Sequence, residues 1–95
     1  LMFIEITGRI VQKLDEKFGT TKSGKDWQKI TYLLQLNEGS QYEHCITFSM
    51  SSFDGDVQNP PQPKDLVKLG LQIVAHQFNG KWFNEIQATK CEKVM

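Results

Sequence analysis

At 95 residues the chain can support one modest core, burying roughly 60–65% of its unfolded surface, and this excludes a two-domain protein. Its 39% hydrophobic and 23% charged residues are those of an ordinary globular domain, and its longest apolar run, residues 1–4, is far below the ~20 needed to cross a bilayer. Eleven Lys and Arg cancel eleven Asp and Glu, so net attraction cannot by itself draw the protein to a polyanion and the distribution of charge must decide. Residues 13–29 hold five lysines (Lys13, Lys17, Lys22, Lys25, Lys29) against three acids, whereas residues 37–65 hold Glu38, Glu43, Asp54, Asp56 and Asp65 against Lys64 alone. Met2 reads as the natural start behind Leu1, and no charged-then-apolar leader follows it, so the expectation is one soluble, cytoplasmic domain over residues 2–95 without a membrane partner. Cys45 and Cys91 are too few for a disulfide framework and are expected to be reduced.

Residues 3–14 alternate, with Ile4, Ile6 and Ile10 on one face and Thr7 and Arg9 on the other, which predicts a half-buried strand. Gly8 within it predicts a bulge or bend. Residues 15–26 are polar and carry Gly19 and Gly24, predicting a long hairpin loop. A second strand follows over 27–36, with Ile30, Tyr32, Leu34 and Leu36 facing in and Trp27, Lys29, Thr31 and Leu33 facing out. A Gly-Ser turn within 37–41 leads to a third strand, in which His44, Ile46, Phe48 and Met50 alternate with Cys45, Thr47 and Ser49. Residues 51–68 include Pro60, Pro61 and Pro63 and read as an irregular crossing with at most a short helical turn. Gly70 opens a fourth strand, with Leu71, Ile73 and Ala75 on one face. Asn79-Gly80 marks a tight hairpin, and a fifth strand runs from Trp82 to about Lys93, directing Ile86 and Ala88 inward. Five strands, two exposed hairpins and one irregular crossing predict an all-β, Greek-key barrel.

Catalytic and metal chemistry find little support. His44 and Cys45 are adjacent in a strand and face opposite ways, His76 and Cys91 could meet only by accident of register, and no pair has the short spacing of a structural zinc site. Residues 19–25 lack the ending and following helix of a phosphate-binding loop. The chain therefore reads as a non-enzyme without a cofactor.

Both hairpins instead combine cations with flat rings. The first offers Lys17, Phe18, Lys22 and Lys25 leading into Trp27 and Lys29; the last offers Phe78, Lys81, Trp82 and Phe83; Arg9 and Thr7 are expected to join from the first strand. Unpaired nucleic acid needs these two residue types, cations along its phosphates and rings against its bases. In a five-stranded barrel the first and last hairpins flank one side of strands two and three, so these residues would line one groove. Against this stand plainer roles: solubilising lysines, Trp27 as a plug of the barrel end, Phe18 folded over the core, and core positions for Tyr32 and Phe48. Trp82 and Phe83 face opposite ways, so at most one should stack on a ligand while the other packs inside.

Glu5-Ile6-Thr7-Gly8-Arg9-Ile10, Gly24-Lys25-Asp26-Trp27-Gln28-Lys29, Lys68-Leu69-Gly70 and Phe78-Asn79-Gly80-Lys81-Trp82-Phe83 resemble a family of small, uncharacterised bacterial OB-fold proteins, itself similar to bacterial single-stranded DNA-binding proteins. The resemblance spans residues 3–94 and implies an OB-fold barrel that binds single-stranded DNA with low sequence specificity and self-associates as a homodimer or homotetramer. The expected nucleic-acid-binding residues are Arg9, Lys22, Lys25, Trp27, Lys29, Lys81, Trp82 and Phe83. The alternative is a protein-interaction or self-assembly module that buries the same aromatic face against a partner. Residues 58–64 lengthen the crossing relative to the family, and the ending Cys91-Glu92-Lys93-Val94-Met95 leads us to expect no acidic, partner-recruiting tail.

Overall fold

The computed structural model describes residues 4–36, 44–55, 57 and 59–94. Five strands follow in chain order: β1 (Ile4–Thr20), β2 (Asp26–Gln35), β3 (Cys45–Ser52), β4 (Leu66–Phe78) and β5 (Lys81–Lys93). They close into a barrel in the order β1-β2-β3-β5-β4, with β4 pairing back onto β1. Every pairing is antiparallel except β3 with β5, which meet in parallel at Ser49 and Gln87. This is the expected all-β, five-stranded Greek-key barrel, and the described residues include no helix. The expected Gly-Ser turn lies outside the described residues, as do Met2, Glu38, Glu43, Asp56, Gln58 and Met95.

The core follows the two-residue period. On β2, Gln28, Ile30, Tyr32 and Leu34 are buried while Trp27, Lys29, Thr31 and Leu33 are half-exposed. Ile10, Phe48, Val67, Leu69 and Leu71 complete the buried set, with Ile46, Met50, Ile86 and Ala88 packed around it. Tyr32 and Phe48 are direct cross-strand partners whose rings stack at 5.4 Å, so both are core residues. Burial of Tyr32 pushes its phenol up to about 12.

Three local expectations change. Residues 15–26 are mostly ladder: β1 continues to Thr20, β2 begins at Asp26, and only 21–25 turn. Both faces of this ribbon meet solvent, so it carries no apolar alternation. Second, β4 begins at Leu66, because Val67 and Leu69 continue the inward phase of Leu71 beneath the crossing; Ile73, on the face of the buried Leu71, is exposed where the strand leaves the barrel. Third, the bulges of β1 fall between Ile10 and Gln12 and between Lys13 and Asp15 instead of at Gly8. Gly8 serves close approach: a Cβ there would lie 2.7 Å from the Gln35 carbonyl oxygen, where β1 passes from pairing with β4 to pairing with β2.

The crossing seals the barrel. Pro61 is fully buried, Lys64 N donates to Ile10 O, Ile10 N donates to Asp65 O, and Val57 N donates to Gln28 Oε1. This last bond satisfies the carbonyl oxygen of the buried Gln28 amide, whose Nε2 donates to Glu16 Oε1 at 3.3 Å. On the other side, β4 and β5 run beyond the barrel as a two-stranded arm ending at Asn79-Gly80, whose φ values of 50° and 79° are those a type I′ hairpin turn requires.

Candidate nucleic-acid interface

The outward positions of β2 and β3 form the floor of a groove between two arms, the β1–β2 hairpin and the β4–β5 hairpin. Three adjoining hollows of about 250, 450 and 390 Å³ lie along it, with Ser49, Ser51, Phe53, Glu85 and Gln87 shared between them. The third is the most apolar in character, bringing Trp27 and Phe53 together with Lys29, His76 and Glu85.

Trp27 is placed by its cross-strand partner Gly19. A Cβ at Gly19 would fall 2.6 Å from the indole, so only glycine lets the ring lie across the neighbouring strand. Trp27 is therefore a half-buried groove ring and not a plug of the barrel end. Directly opposite Lys29 stands Lys17, which strand pairing puts on the same face. Two like charges in register oppose pairing, and each has an acid to offset it: Lys29 Nζ lies 2.6 Å from Glu85, and Lys17 Nζ 3.9 Å from Asp15.

Glu85 ties the arm to the floor. Its carboxylate accepts from Lys29 Nζ, from Ser49 Oγ at 3.1 Å and from His76 Nε2 at 2.8 Å. The hydrogen bond from Lys29 leads in holding the Glu85 carboxyl below the usual carboxylate range, against partial desolvation, with Ser49 and His76 adding to it.

The eight residues singled out from sequence separate into groups. Lys29 and Trp27 line the groove. Lys22 and Lys25 lie at the tip of the β1–β2 arm beside Thr21, which lines the same hollow; Thr21 and Lys25 bond to each other through backbone and hydroxyl. On β5, side chains 81, 83, 85 and 87 share a face by alternation, so Lys81 and Phe83 stand on the groove side with Glu85. Trp82, out of phase with them, projects from the opposite face of the ribbon, the face that Ile86 turns to the core. The expectation that one of Trp82 and Phe83 packs inside fails: both are exposed, because the arm has left the barrel before it reaches them. Arg9 is not brought to the groove's ring cluster. Its partner on β2 is Gln35, eight residues or about 26 Å along the strand from Trp27, and its guanidinium donates to Lys64 O in the crossing.

Phe53, His76 and Glu85 are groove residues that sequence reasoning did not select. Lys17, offered with the first hairpin but not among the eight, pairs with Lys29 and shares its face; Phe53, beside the irregular crossing, left no periodic signal. Phe18, 62% exposed, does not fold over the core. His76 pairs with Phe83 and Cys91 with Leu69, seven positions apart on β4, so these two do not meet. Among the described residues no three His, Cys, Asp or Glu side chains converge as metal ligands, and Cys45 and Cys91 are free thiols. No described helix is long and apolar enough to cross a membrane.

The fold is shared with known structures. The dimeric N-terminal domain of PriB protein from Thermoanaerobacter tencongensis matches with a TM-score of 0.61 at 13% identity, covering 98% of this chain and 96% of that one. The small single-stranded DNA-binding protein from Streptomyces coelicolor matches with a TM-score of 0.54 at 11% identity, covering 97% and 93%. At such identities the likeness establishes the OB fold. Comparison with curated proteins finds no match. Over residues 5–92, nearly its whole length, the chain belongs to the family described as domain of unknown function DUF3127.

Proposed function

We propose that the protein binds single-stranded DNA through the groove on β2 and β3, without a catalytic step and with low sequence specificity. The observation that carries this reading is the meeting of Trp27, Phe53, Lys29 and His76 in one open hollow, between two arms that bear Lys17, Lys22, Lys25 and Lys81. Rings on the floor can stack on bases, each worth about 1–3 kcal/mol, and lysines on the arms can follow phosphates. Similarity of fold to a single-stranded DNA-binding protein supports the reading. A cytoplasmic, bacterial setting and self-association accompany it as further proposals. Fluorescence anisotropy with a labelled oligonucleotide at low ionic strength tests it. Binding that weakens with salt and is reduced by Trp27→Ala is expected; no binding at the lowest salt rejects the function.

A second reading rests on a different surface. Trp82 is 67% exposed on the arm face away from the groove and Ile73 is exposed on the same face, so a protein partner or second copy would find apolar area there. Under this reading Trp82→Ala abolishes assembly in light scattering and leaves oligonucleotide binding intact.

A further inference from the structure

The 390 Å³ hollow contains one group that phosphate binding does not require and indeed opposes, the Glu85 carboxylate. A carboxylate has about four acceptor sites. Glu85 Oε1 uses two, for Lys29 Nζ at 2.6 Å and Ser49 Oγ at 3.1 Å, and Oε2 uses one, for His76 Nε2 at 2.8 Å. One acceptor site on Oε2 is left, on a side chain 24% exposed. The Lys29 ammonium sits on Oε1, the other oxygen of the same carboxylate, so the wall of the hollow presents an acceptor and a donor one carboxylate apart, with Trp27 and Phe53 in the same lining. The hollow's volume lies in the range of small-ligand pockets, about 300–1,000 Å³.

Phosphates are repelled from that wall and have lysines to go to on the arms, so a bound strand would turn its bases inward. The base edge that fits must carry a donor for Glu85 beside an acceptor for Lys29. Cytosine has this edge, with its N4 amino group next to N3 and O2, and acidic side chains accept from cytosine N4. Thymine's one donor on this edge, N3–H, lies between the O4 and O2 carbonyls, so setting it on Glu85 with one carbonyl toward Lys29 brings the other carbonyl against the carboxylate, a repulsion that cytosine N4 avoids. We propose that Glu85 is a base-selecting residue of the groove, accepting from the amino group of cytosine held against Trp27 and Phe53 while Lys29 serves its acceptor edge, so that cytosine is preferred over thymine. The inference rests on the nucleic-acid reading above and narrows it.

The test compares labelled oligodeoxycytidine and oligodeoxythymidine of equal length at one salt concentration and near-neutral pH, with wild-type protein and Glu85→Gln. For the wild type, the cytosine strand is expected to bind at least about fivefold more tightly. In Glu85→Gln, checked for folding by circular dichroism, the ratio is expected to fall to within about twofold, while affinity for both strands rises as a negative charge leaves the groove. Equal or tighter binding of the thymine strand to wild type overturns the selectivity and leaves the nucleic-acid reading standing. A preference that survives in Glu85→Gln overturns the role of Glu85. Failure of both strands to bind overturns both readings. The wild-type ratio decides even where the variant does not fold.

Discussion

Gly19 and Trp27 show how one residue sets the exposure of another. The indole lies where a Gly19 side chain would be, and Gly19 does not have a positive φ, so an alanine there is compatible with the backbone and fails only against the ring. Gly19→Ala is therefore expected to push Trp27 off its strand and cost oligonucleotide affinity up to about 1–3 kcal/mol, the worth of one stacked base. Because alanine also suits a ladder better than glycine, the thermal midpoint should hold. An unchanged affinity in an anisotropy titration would remove Trp27 from the interface. Phe48 occupies the opposite situation: fully buried against Tyr32, it is expected to lose about 3–5 kcal/mol of stability as Phe48→Ala, measured by urea unfolding.

Among the elements, the two arms carry the charges. If the lysines of the tips follow phosphates, Lys22→Ala, Lys25→Ala and Lys81→Ala should each reduce the slope of log affinity against log salt by about 0.7, with melting temperature little changed. Lysines that only solubilise would leave the slope alone. The same arms explain where the sequence was readable. On β2, a wall strand with one face to the core and one to the groove, the alternation of Ile30, Tyr32 and Leu34 with Lys29, Thr31 and Leu33 marks strand and facing together. Along residues 15–20 both faces are wet, so no period survives and the segment reads as loop. Leu66 to Leu69 kept its phase but stood too close to three prolines to be recognised. Asn79-Gly80 was legible because its chemistry is local, whereas Phe53 and His76 enter the groove only through a closure that pairs β3 with β5 at long range.

For the molecule as a whole, pH acts through three groups with opposite signs. Glu85 has a folded pKa below its unfolded value, so its contribution is present above the ordinary carboxylate range and is lost as pH falls through the depressed value. Burial raises the Cys91 thiol, and likewise Tyr32 from 10.0 to about 12, so their contributions are complete below their unfolded values and vanish as pH rises through the folded ones. Chemical denaturation across pH should therefore give a plateau through neutrality, a decline at acid pH that Glu85→Gln makes shallower, and a decline above about pH 9–10. A steady rise in stability into strong alkali would contradict this.

The protein is also drawn out: its radius of gyration is 14.3 Å, against about 12.4 Å for a compact chain of its length, with a longest dimension of 47 Å. Each ribbon is anchored at one end only and lacks a packed layer beneath its tip. Amide hydrogens near Phe18 and Phe83 should consequently exchange with deuterium well before those of Leu34 and Leu69, as separately opening units. A strand gripped between such fingers would slow that exchange first at their ends, and the order in which protection spreads would reveal which finger closes first.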